Sequence, residues 1–240
     1  MELKSLKIGA HRGAMCYAPE NTLAAFAVAI RQDSYRIEFD VRRTADGHLV
    51  VIHDETVDRT TNGSGLVSEM NLSELKKLRC GMEFVPTFSE CLNFMAGKGR
   101  MLIEQKEPGL TEQIIREIEM AEVETDCTIV SFHEEALIEA RQRNTKIDRG
   151  FFLIRPDDYK IDEICEIVDP KLFIVWPATI QSEYIEKKED FDFDIDIYLS
   201  FNKDIKNDHM LFNPFYHWIL YGKKDNRICN IEKARESLVN

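Results

Sequence analysis

Residues 36–53 read RIEFDVRRTADGHLVVIH, and they contain two strand-like runs, RIEFDV and LVVIH. The segment between the runs is far too short for the helical crossover that two parallel strands require. Asp46 and Gly47 form a strong hairpin signal, so the two strands are predicted to be antiparallel. A hairpin centred on this pair places Asp40 opposite His53, within side-chain reach.

On either side of this hairpin, short apolar runs alternate with segments of helical periodicity. This alternation is typical of β/α units around a mainly parallel sheet, and a chain of 240 residues suits one barrel of such units. We therefore predict a single barrel domain over residues 1–240, in which Asn21 or Thr22 caps the first helix. The strand-like runs are LKIGA (6–10), RIEFDV (36–41), LVVIH (49–53), MLIEQK (101–106), CTIVSF (127–132), GFFLI (150–154), LFIVW (172–176), IDIYLSF (195–201) and RICN (227–230).

Residues 54–86 break the alternation of strands and helices. They are rich in turn-forming residues and contain one short helical piece after Asn71. We predict that they form a small insertion after the third strand, lying over the active-site face of the barrel. Loops on that face usually determine which substrate is accepted.

Carboxylates interrupt the apolar runs near the ends of two predicted strands. Glu38 and Asp40 are two residues apart on one strand, so they point the same way, and Glu104 lies on another strand. The carboxyl ends of barrel strands share one face, which brings these side chains together. Three inward carboxylates repel one another unless a cation neutralises them, and oxygen ligands favour Mg²⁺ or Ca²⁺ over zinc. The alternative to a metal is direct salt bridging by Arg36, Arg42 or Lys106.

Two cationic side chains and two histidines flank the predicted carboxylate cluster. Arg12 and Lys106 provide a guanidinium and an ammonium group, which together with a metal form a phosphate-binding set. His11 and His53 follow strand ends, and histidine pairs serve as general acid and base near pH 7. The combination indicates acid–base chemistry on a bound phosphate group.

These residues resemble the signature of the glycerophosphodiester phosphodiesterase family. Single motifs are weak, but here they follow one another in the family's order and at natural spacing, mostly within the first 110 residues. The matching motifs are HRG (11–13), PENT (19–22), EFDV (38–41), TADG (44–47), HD (53–54), PTF (86–88) and IEQK (103–106).

The resemblance implies a (β/α)8 TIM-type barrel of the phospholipase C-like phosphodiesterase kind. It implies metal-dependent hydrolysis of glycerophosphodiesters to glycerol 3-phosphate and an alcohol. It leaves open which histidine is the acid, and whether water attacks directly or a cyclic phosphate forms. Glu20 matches a motif residue that is either structural or a metal contact. The roles carried over are catalysis for His11 and His53, metal binding for Glu38, Asp40 and Glu104, and phosphate contact for Arg12 and Lys106.

The C-terminal half departs from the family pattern. YLSFN at 198–202 stands where the family has a strand similar to Val-Trp-Thr-Val-Asn, so Leu199 replaces a tryptophan. We predict that Trp176 supplies a substrate-binding aromatic face instead, with simple packing as the alternative. Two other functions stay open: a lysophospholipase D-like enzyme acting on lipid headgroups, with MLFNPFYHWILY (210–221) as its apolar surface, and a catalytically lapsed barrel acting as a binding module.

Charge and cysteine spacing limit the expected partners and compartment. A net charge of -12 argues against nonspecific binding to nucleic acid or anionic membranes, which require a basic surface. No segment reaches the roughly 18 apolar residues of a membrane span, and the first residues lack the apolar run of a signal peptide. Widely spaced cysteines are typical of free thiols. We expect a cytoplasmic protein with a small-molecule phosphodiester as its partner, and the sequence indicates no oligomeric state.

Overall fold

The computed structural model describes residues 9–153 and 161–175. A mainly parallel sheet of order β1-β2-β6-β7-β8-β9 runs through this part of the chain, and β3 pairs with β2 in the antiparallel sense. The strands are β1 (Gly9–Ala10), β2 (Arg36–Arg43), β3 (Leu49–Val51), β4 (Arg79–Cys80), β5 (Glu83–Phe84), β6 (Arg100–Gln105), β7 (Cys127–Ser131), β8 (Asp148–Leu153) and β9 (Leu172–Val175). The predicted runs at 195–201 and 227–230 lie outside the described residues.

Helices connect most of the parallel strands, as the alternating pattern predicts. They are α1 (Leu23–Arg31), α2 (Leu72–Leu75), α3 (Phe88–Met95), α4 (Thr111–Met120), α5 (Glu134–Arg143) and α6 (Ile161–Val168). Thr22, not Asn21, caps α1, since its side chain accepts a hydrogen bond from the Ala25 N–H at 3.2 Å. No helix within the described ranges is long and apolar enough to cross a bilayer.

The alternation of side chains along β2 separates the hydrophobic core from the carboxylates. Phe39 is fully buried between Phe26 of α1 and Phe88 of α3, with ring centroids 5.4 and 6.2 Å away. Because successive side chains of a strand point to opposite faces, Glu38 and Asp40 lie on the other side of the sheet. The helix-facing core thus fixes the direction in which both carboxylates project.

The β2–β3 hairpin is antiparallel as predicted, but its register differs by one residue. Val41 lies opposite Val51, and the Ile52 N–H donates to the Asp40 carbonyl at 3.0 Å, so the pairing of Asp40 with His53 is wrong. The reason is the loop, which has three residues rather than two. Gly47 closes it with a φ of +85°, a conformation that glycine adopts without strain.

Residues 54–86 fold as a small unit against the hairpin. A bridge joins Thr56 to Leu66, a 3₁₀ turn spans Val67–Glu69, and α2 and the β4–β5 ribbon complete the segment. The insertion core is the apolar cluster that these elements share with two residues at the end of the hairpin. Its members are Val50, Ile52, Val57, Val67, Leu75, Cys80 and Val85.

Leu75→Ala is expected to lower the free energy of unfolding by about 2–5 kcal/mol, because the neighbours of a fully buried leucine only partly fill the cavity left behind. Urea denaturation measures this loss. Leu72→Ala is the matched control, since Leu72 packs against the same cluster but is only partly buried, and it should cost less. Equal losses for the two variants would contradict a packed insertion core.

Candidate active site

Three carboxylates converge at the sheet, as the strand-end pattern predicts. Glu38 and Asp40 project from β2, and Glu104 lies on β6 directly beside Asp40 in the parallel register. One oxygen from each side chain lies within 4.8 Å of the others. Asp40 is only 1% exposed, and Glu104 is also buried. Adjacent parallel strands therefore bring together groups that are 64 positions apart in the chain, the difference between 40 and 104.

Described residues donate hydrogen bonds to only some oxygen atoms of this cluster. Glu38 Oε2 accepts the Arg12 backbone N–H at 2.7 Å, and Asp40 Oδ2 accepts the Asn21 side-chain amide at 2.8 Å. Glu38 Oε1 and Asp40 Oδ1 are buried and receive no hydrogen bond from the described part of the chain. Buried polar atoms nearly always have partners, so such a pair of oxygens calls for a ligand.

Burial and mutual repulsion disfavour ionisation of the cluster. The pKa of Glu38 is raised well above its ordinary value by desolvation first and then by the charges of Asp40 and Glu104. The pKa of Glu104 is raised by the same two causes, desolvation and the charge of Asp40. A cation bound between the carboxylates would lower the pKa of Glu38 and of Glu104, because it favours their charged forms. The donor set of oxygens alone fits a hard divalent cation such as Mg²⁺ or Ca²⁺.

Among the residues that the structure describes, Lys106 and Arg12 place positive charge beside the cluster. Lys106 Nζ lies 2.6 Å from Glu104 Oε1 and 3.5 Å from Asp40 Oδ1, and Arg12 Nε lies 3.7 Å from Asp40 Oδ2. Direct salt bridging, the alternative to a metal, thus exists through Lys106, but it leaves Glu38 Oε1 without a hydrogen bond from residues 9–153 and 161–175.

The other two arginines considered for that role make contacts elsewhere. Arg42 donates to the His53 carbonyl at 2.8 Å and to Glu107 at 3.4 Å. Arg36 lies over the Tyr35 ring, 5.7 Å from its centroid. Arg42 therefore holds the backbone at His53, and this contact helps to fix the position of the histidine.

Tight backbone geometry presents Arg12 to the cluster. Arg12 and Gly13 have φ values of +52° and +75°, so two consecutive residues adopt the left-handed conformation. A Cβ on Gly13 would lie 2.9 Å from the Ala25 carbonyl carbon, and only glycine allows the loop to approach α1 so closely. The loop directs the Arg12 N–H at Glu38 and its guanidinium at Glu20, with Nη1 2.8 Å from Oε1.

Of the two predicted catalytic histidines, His11 lies beside Glu38, and His53 is close enough to Asp40 and Lys106 for their charges to act on it. His11 Nε2 is 3.8 Å from Glu38 Oε2, and 48% of its side chain is exposed. His53 Nδ1 is 2.6 Å from Asp54 Oδ1. The pKa of each is lowered, first by desolvation, and Arg12 adds to the effect at His11. Because the ordinary value is about 6.5, these shifts favour the neutral imidazole at pH 7 when no phosphate is bound, and a neutral imidazole can accept a proton.

Asp54 and Arg59 complete the surroundings of His53, and neither had a role assigned from the sequence. The pKa of Asp54 is lowered, first by its hydrogen bonds from Arg59, so Asp54 is a carboxylate that only accepts. His53 must then carry its proton on Nδ1, which leaves Nε2 as the free acceptor. The HD motif could have indicated Asp54. Nothing in the sequence pattern singles out Arg59, which lies in the insertion.

Glu20 lies between two guanidinium groups rather than in the carboxylate cluster. It accepts hydrogen bonds from Arg12 and from Arg59, and these lower its pKa against the opposing effect of burial. These contacts fit the structural one of the two roles left open for this motif residue, and its role stays a prediction. Trp176, Leu199 and segment 210–221, which concern the alcohol-binding end, lie outside the described residues, so the substrate-binding role of Trp176 stays a prediction.

Comparison with known proteins identifies relatives of this chain. A sequence model of the glycerophosphoryl diester phosphodiesterase family matches residues 11–188. A glycerophosphodiester phosphodiesterase from Caldanaerobacter subterraneus subsp. tengcongensis is 42% identical over 154 residues, which cover 58% of this chain and 63% of that protein. One from Bacillus subtilis is 33% identical over 159 residues, covering 55% and 54%. The alignments thus span less than two thirds of these relatives.

Solved structures of related proteins share the fold. A glycerophosphodiester phosphodiesterase from Agrobacterium tumefaciens is 32% identical, with a TM-score of 0.65 and coverage of 76% of this chain and 82% of that one. An Oleispira antarctica phosphodiesterase in complex with the product sn-glycerol-3-phosphate is 28% identical, with a TM-score of 0.67 and coverage of 75% and 78%. The predicted (β/α)8 TIM-type barrel is confirmed. The chain belongs to the glycerophosphodiester phosphodiesterase family.

Proposed function

We propose that this protein hydrolyses glycerophosphodiesters to glycerol 3-phosphate and an alcohol, with a divalent cation and a two-histidine acid–base mechanism. The observation that carries the proposal is the pair of buried carboxylate oxygens, Glu38 Oε1 and Asp40 Oδ1, that receive no hydrogen bond from the described residues. They lie in a cluster flanked by two imidazoles and two cationic side chains. The names of the relatives and the product bound to the Oleispira enzyme support the same substrate class.

Glu38, Asp40 and Glu104 are the residues that would hold the cation, Mg²⁺ or Ca²⁺. When bound, the cation offsets negative charge that develops on the phosphoryl oxygens and makes a coordinated hydroxyl or water more acidic. Before binding, Lys106 balances part of the cluster through Glu104 and Asp40. Its ammonium group is therefore in place to contact both the ligand set and a phosphate oxygen.

The histidines move the protons of the reaction. One accepts the proton of the attacking hydroxyl at a free ring nitrogen. The other acts as an imidazolium, the form that a bound phosphate anion favours, and donates its proton to the oxygen of the departing alkoxide. His53 is oriented for either task, because Asp54 holds its Nδ1–H and leaves Nε2 available. Arg12 holds the phosphate while these transfers occur, and its position depends on Glu38 and Glu20.

Turnover of a substrate panel with and without a chelator tests this proposal. Glycerophosphocholine and glycerophosphoethanolamine should release glycerol 3-phosphate only when a divalent cation is present. Faster turnover of lysophosphatidylcholine micelles would favour the lysophospholipase D-like alternative. No turnover of any phosphodiester by the folded, cation-supplied protein would identify a binding module instead.

Lys106→Ala is expected to lower kcat/KM for glycerophosphocholine roughly 10–100-fold, because a charge-assisted contact to phosphate contributes about 1.5–3 kcal/mol. Steady-state kinetics at saturating cation concentration measures the change. Lys98→Ala provides the control, since Lys98 Nζ donates to the Phe94 carbonyl on α3, away from the cluster. If Lys106→Ala and Lys98→Ala retained equal kcat/KM, Lys106 would have no part in phosphate binding.

We also propose a cytoplasmic location for the protein. Cys80, Cys91 and Cys127 are buried free thiols, which suits a reducing, cytoplasmic location.

The alcohol end of the substrate would meet the insertion at 54–86 and Trp176. The insertion supplies Arg59 next to His53 through Asp54, which supports a place for it at the active-site face.

A further inference from the structure

We propose that Arg59 is a positioning residue that fixes His53 and Arg12 relative to one another through a single guanidinium group. The inference rests on the proposed function, because it assigns a task in the same reaction. Arg59 is not assigned a contact with the substrate. Arg59 acts through two carboxylates, Asp54 on one side and Glu20 on the other.

The guanidinium of Arg59 binds both carboxylates in a forked arrangement. Toward Asp54, Nε lies 2.6 Å from Oδ2 and Nη2 lies 3.0 Å from Oδ1. Toward Glu20, Nη1 lies 2.8 Å from Oε2 and Nη2 lies 2.8 Å from Oε1. One planar group thus makes two bidentate pairs, which fixes the angle between the carboxylates as well as their distance.

Each carboxylate in turn holds a residue of the proposed mechanism. Asp54 Oδ1 is 2.6 Å from His53 Nδ1, and Glu20 Oε1 accepts from Arg12 Nη1 at 2.8 Å. The result is a continuous chain of charge-assisted bonds from His53 through Asp54, Arg59 and Glu20 to Arg12. It links the acid–base group to the phosphate-contacting group without passing through the carboxylate cluster.

Burial indicates that this series of hydrogen bonds is more than a surface ion pair. Arg59 is 48% exposed, but Glu20 is only 12% exposed and receives both guanidinium groups. An exposed salt bridge adds little to stability, so the principal effect of Arg59 should be on geometry. Lysine cannot reproduce it, because a single ammonium nitrogen cannot form two parallel bidentate pairs.

Loss of Arg59 should act first on the tautomer of His53. Asp54 Oδ1 accepts hydrogen bonds from both His53 and Arg59, and the bonds from Arg59 fix the plane of the carboxylate. Without that donor the carboxylate can rotate toward solvent, and His53 loses the acceptor that keeps its proton on Nδ1. A mixture of tautomers reduces the fraction of enzyme with a free Nε2 in the correct orientation.

The test compares Arg59→Ala and Arg59→Lys with a matched control, Arg143→Ala. Arg143 also bridges two carboxylates, Glu139 at 2.6 Å and Glu112 at 2.9 Å, and it is similarly exposed, but it lies on α5. Nitrogen-15 NMR of the imidazole in the resting protein reports the His53 tautomer without any turnover. Steady-state kinetics on glycerophosphocholine reports kcat and KM separately.

We expect wild type and Arg143→Ala to hold the Nδ1–H tautomer, and both Arg59 variants to show a mixture with kcat lowered about 10–100-fold. Melting temperatures should stay close to wild type. Millimolar guanidinium, but not sodium chloride at equal ionic strength, should partly restore kcat to Arg59→Ala. If the alanine variant does not fold, Arg59→Lys gives the same tautomer and kcat readings.

An Nδ1–H tautomer and a wild-type kcat in the Arg59 variants would overturn the inference. So would a loss of kcat matched by Arg143→Ala, because it would reflect surface charge alone. Failure of the proposed function looks different: wild type itself would not turn over the phosphodiester panel. The tautomer comparison would still decide whether Arg59 positions His53.

Discussion

His53→Ala lowers kcat for glycerophosphocholine about 10²–10⁴-fold, the range for removing a general acid or base. The geometry supports a large loss, because His53 is held at Nδ1 by Asp54 and at its own carbonyl by Arg42. A group held so firmly contributes orientation as well as proton transfer. Because the imidazole is partly exposed and outside the hydrophobic core, the melting temperature should change little.

His11→Ala should cause a loss of similar size, and the double variant should be little worse than either single one. Residues that act as a unit in one reaction are strongly non-additive. His48→Ala serves as the control, since this exposed histidine lies in the β2–β3 loop near Asp46. A double variant with nearly full activity would show that the two-histidine mechanism is wrong.

Asp40→Asn abolishes cation-dependent turnover, as does treatment of the wild type with a chelator. Mg²⁺, Ca²⁺ or Mn²⁺ should restore activity to the chelated wild type but not to the variant. Asp40 is the most deeply buried of the three carboxylates and has one oxygen without a hydrogen bond from the described residues. Replacing that oxygen by an amide nitrogen removes one oxygen ligand of the cation, and it directs N–H groups, which cannot coordinate a metal, toward the cation site.

Thermal unfolding gives an independent measurement of the same site. A cation at about 100 times its Kd stabilises the folded state by about 2.7 kcal/mol, so the wild type should melt higher when the cation is added. Asp40→Asn should show no such gain. Glu117→Gln is the control, because Glu117 also has a raised pKa but lies on α4 and bonds to Gln113. Equal gains in all three proteins would place the cation elsewhere.

The sequence predicted the convergence of the three carboxylates because strand periodicity and the common direction of parallel strands are regular features. Period-two spacing places Glu38 and Asp40 on one face of a strand, and parallel strands align Glu104 beside Asp40. The hairpin register was wrong by one residue because Asp-Gly pairs occur in both two-residue and three-residue loops. Only the backbone hydrogen bonds of Thr44 and His48 distinguish the two loops.

Arg59 was not predicted because its role depends on two segments that no pattern relates. Glu20 comes from the loop after β1, whereas Asp54 and Arg59 both come from the insertion. An arginine in a polar, turn-rich segment has the composition of an ordinary surface residue. Its partners become visible only when the insertion folds against the hairpin.

The shared core of the insertion limits how this protein can be redesigned. Val50 and Ile52 belong to the hairpin that leads into His53, yet they are buried by residues of the insertion. A library that randomises 54–86 to select new substrates would therefore disturb the strand that leads into His53 as well as the insertion. Productive libraries would keep the insertion core and Arg59 constant and vary only exposed positions such as Met82, which is 89% exposed at the tip of the β4–β5 ribbon.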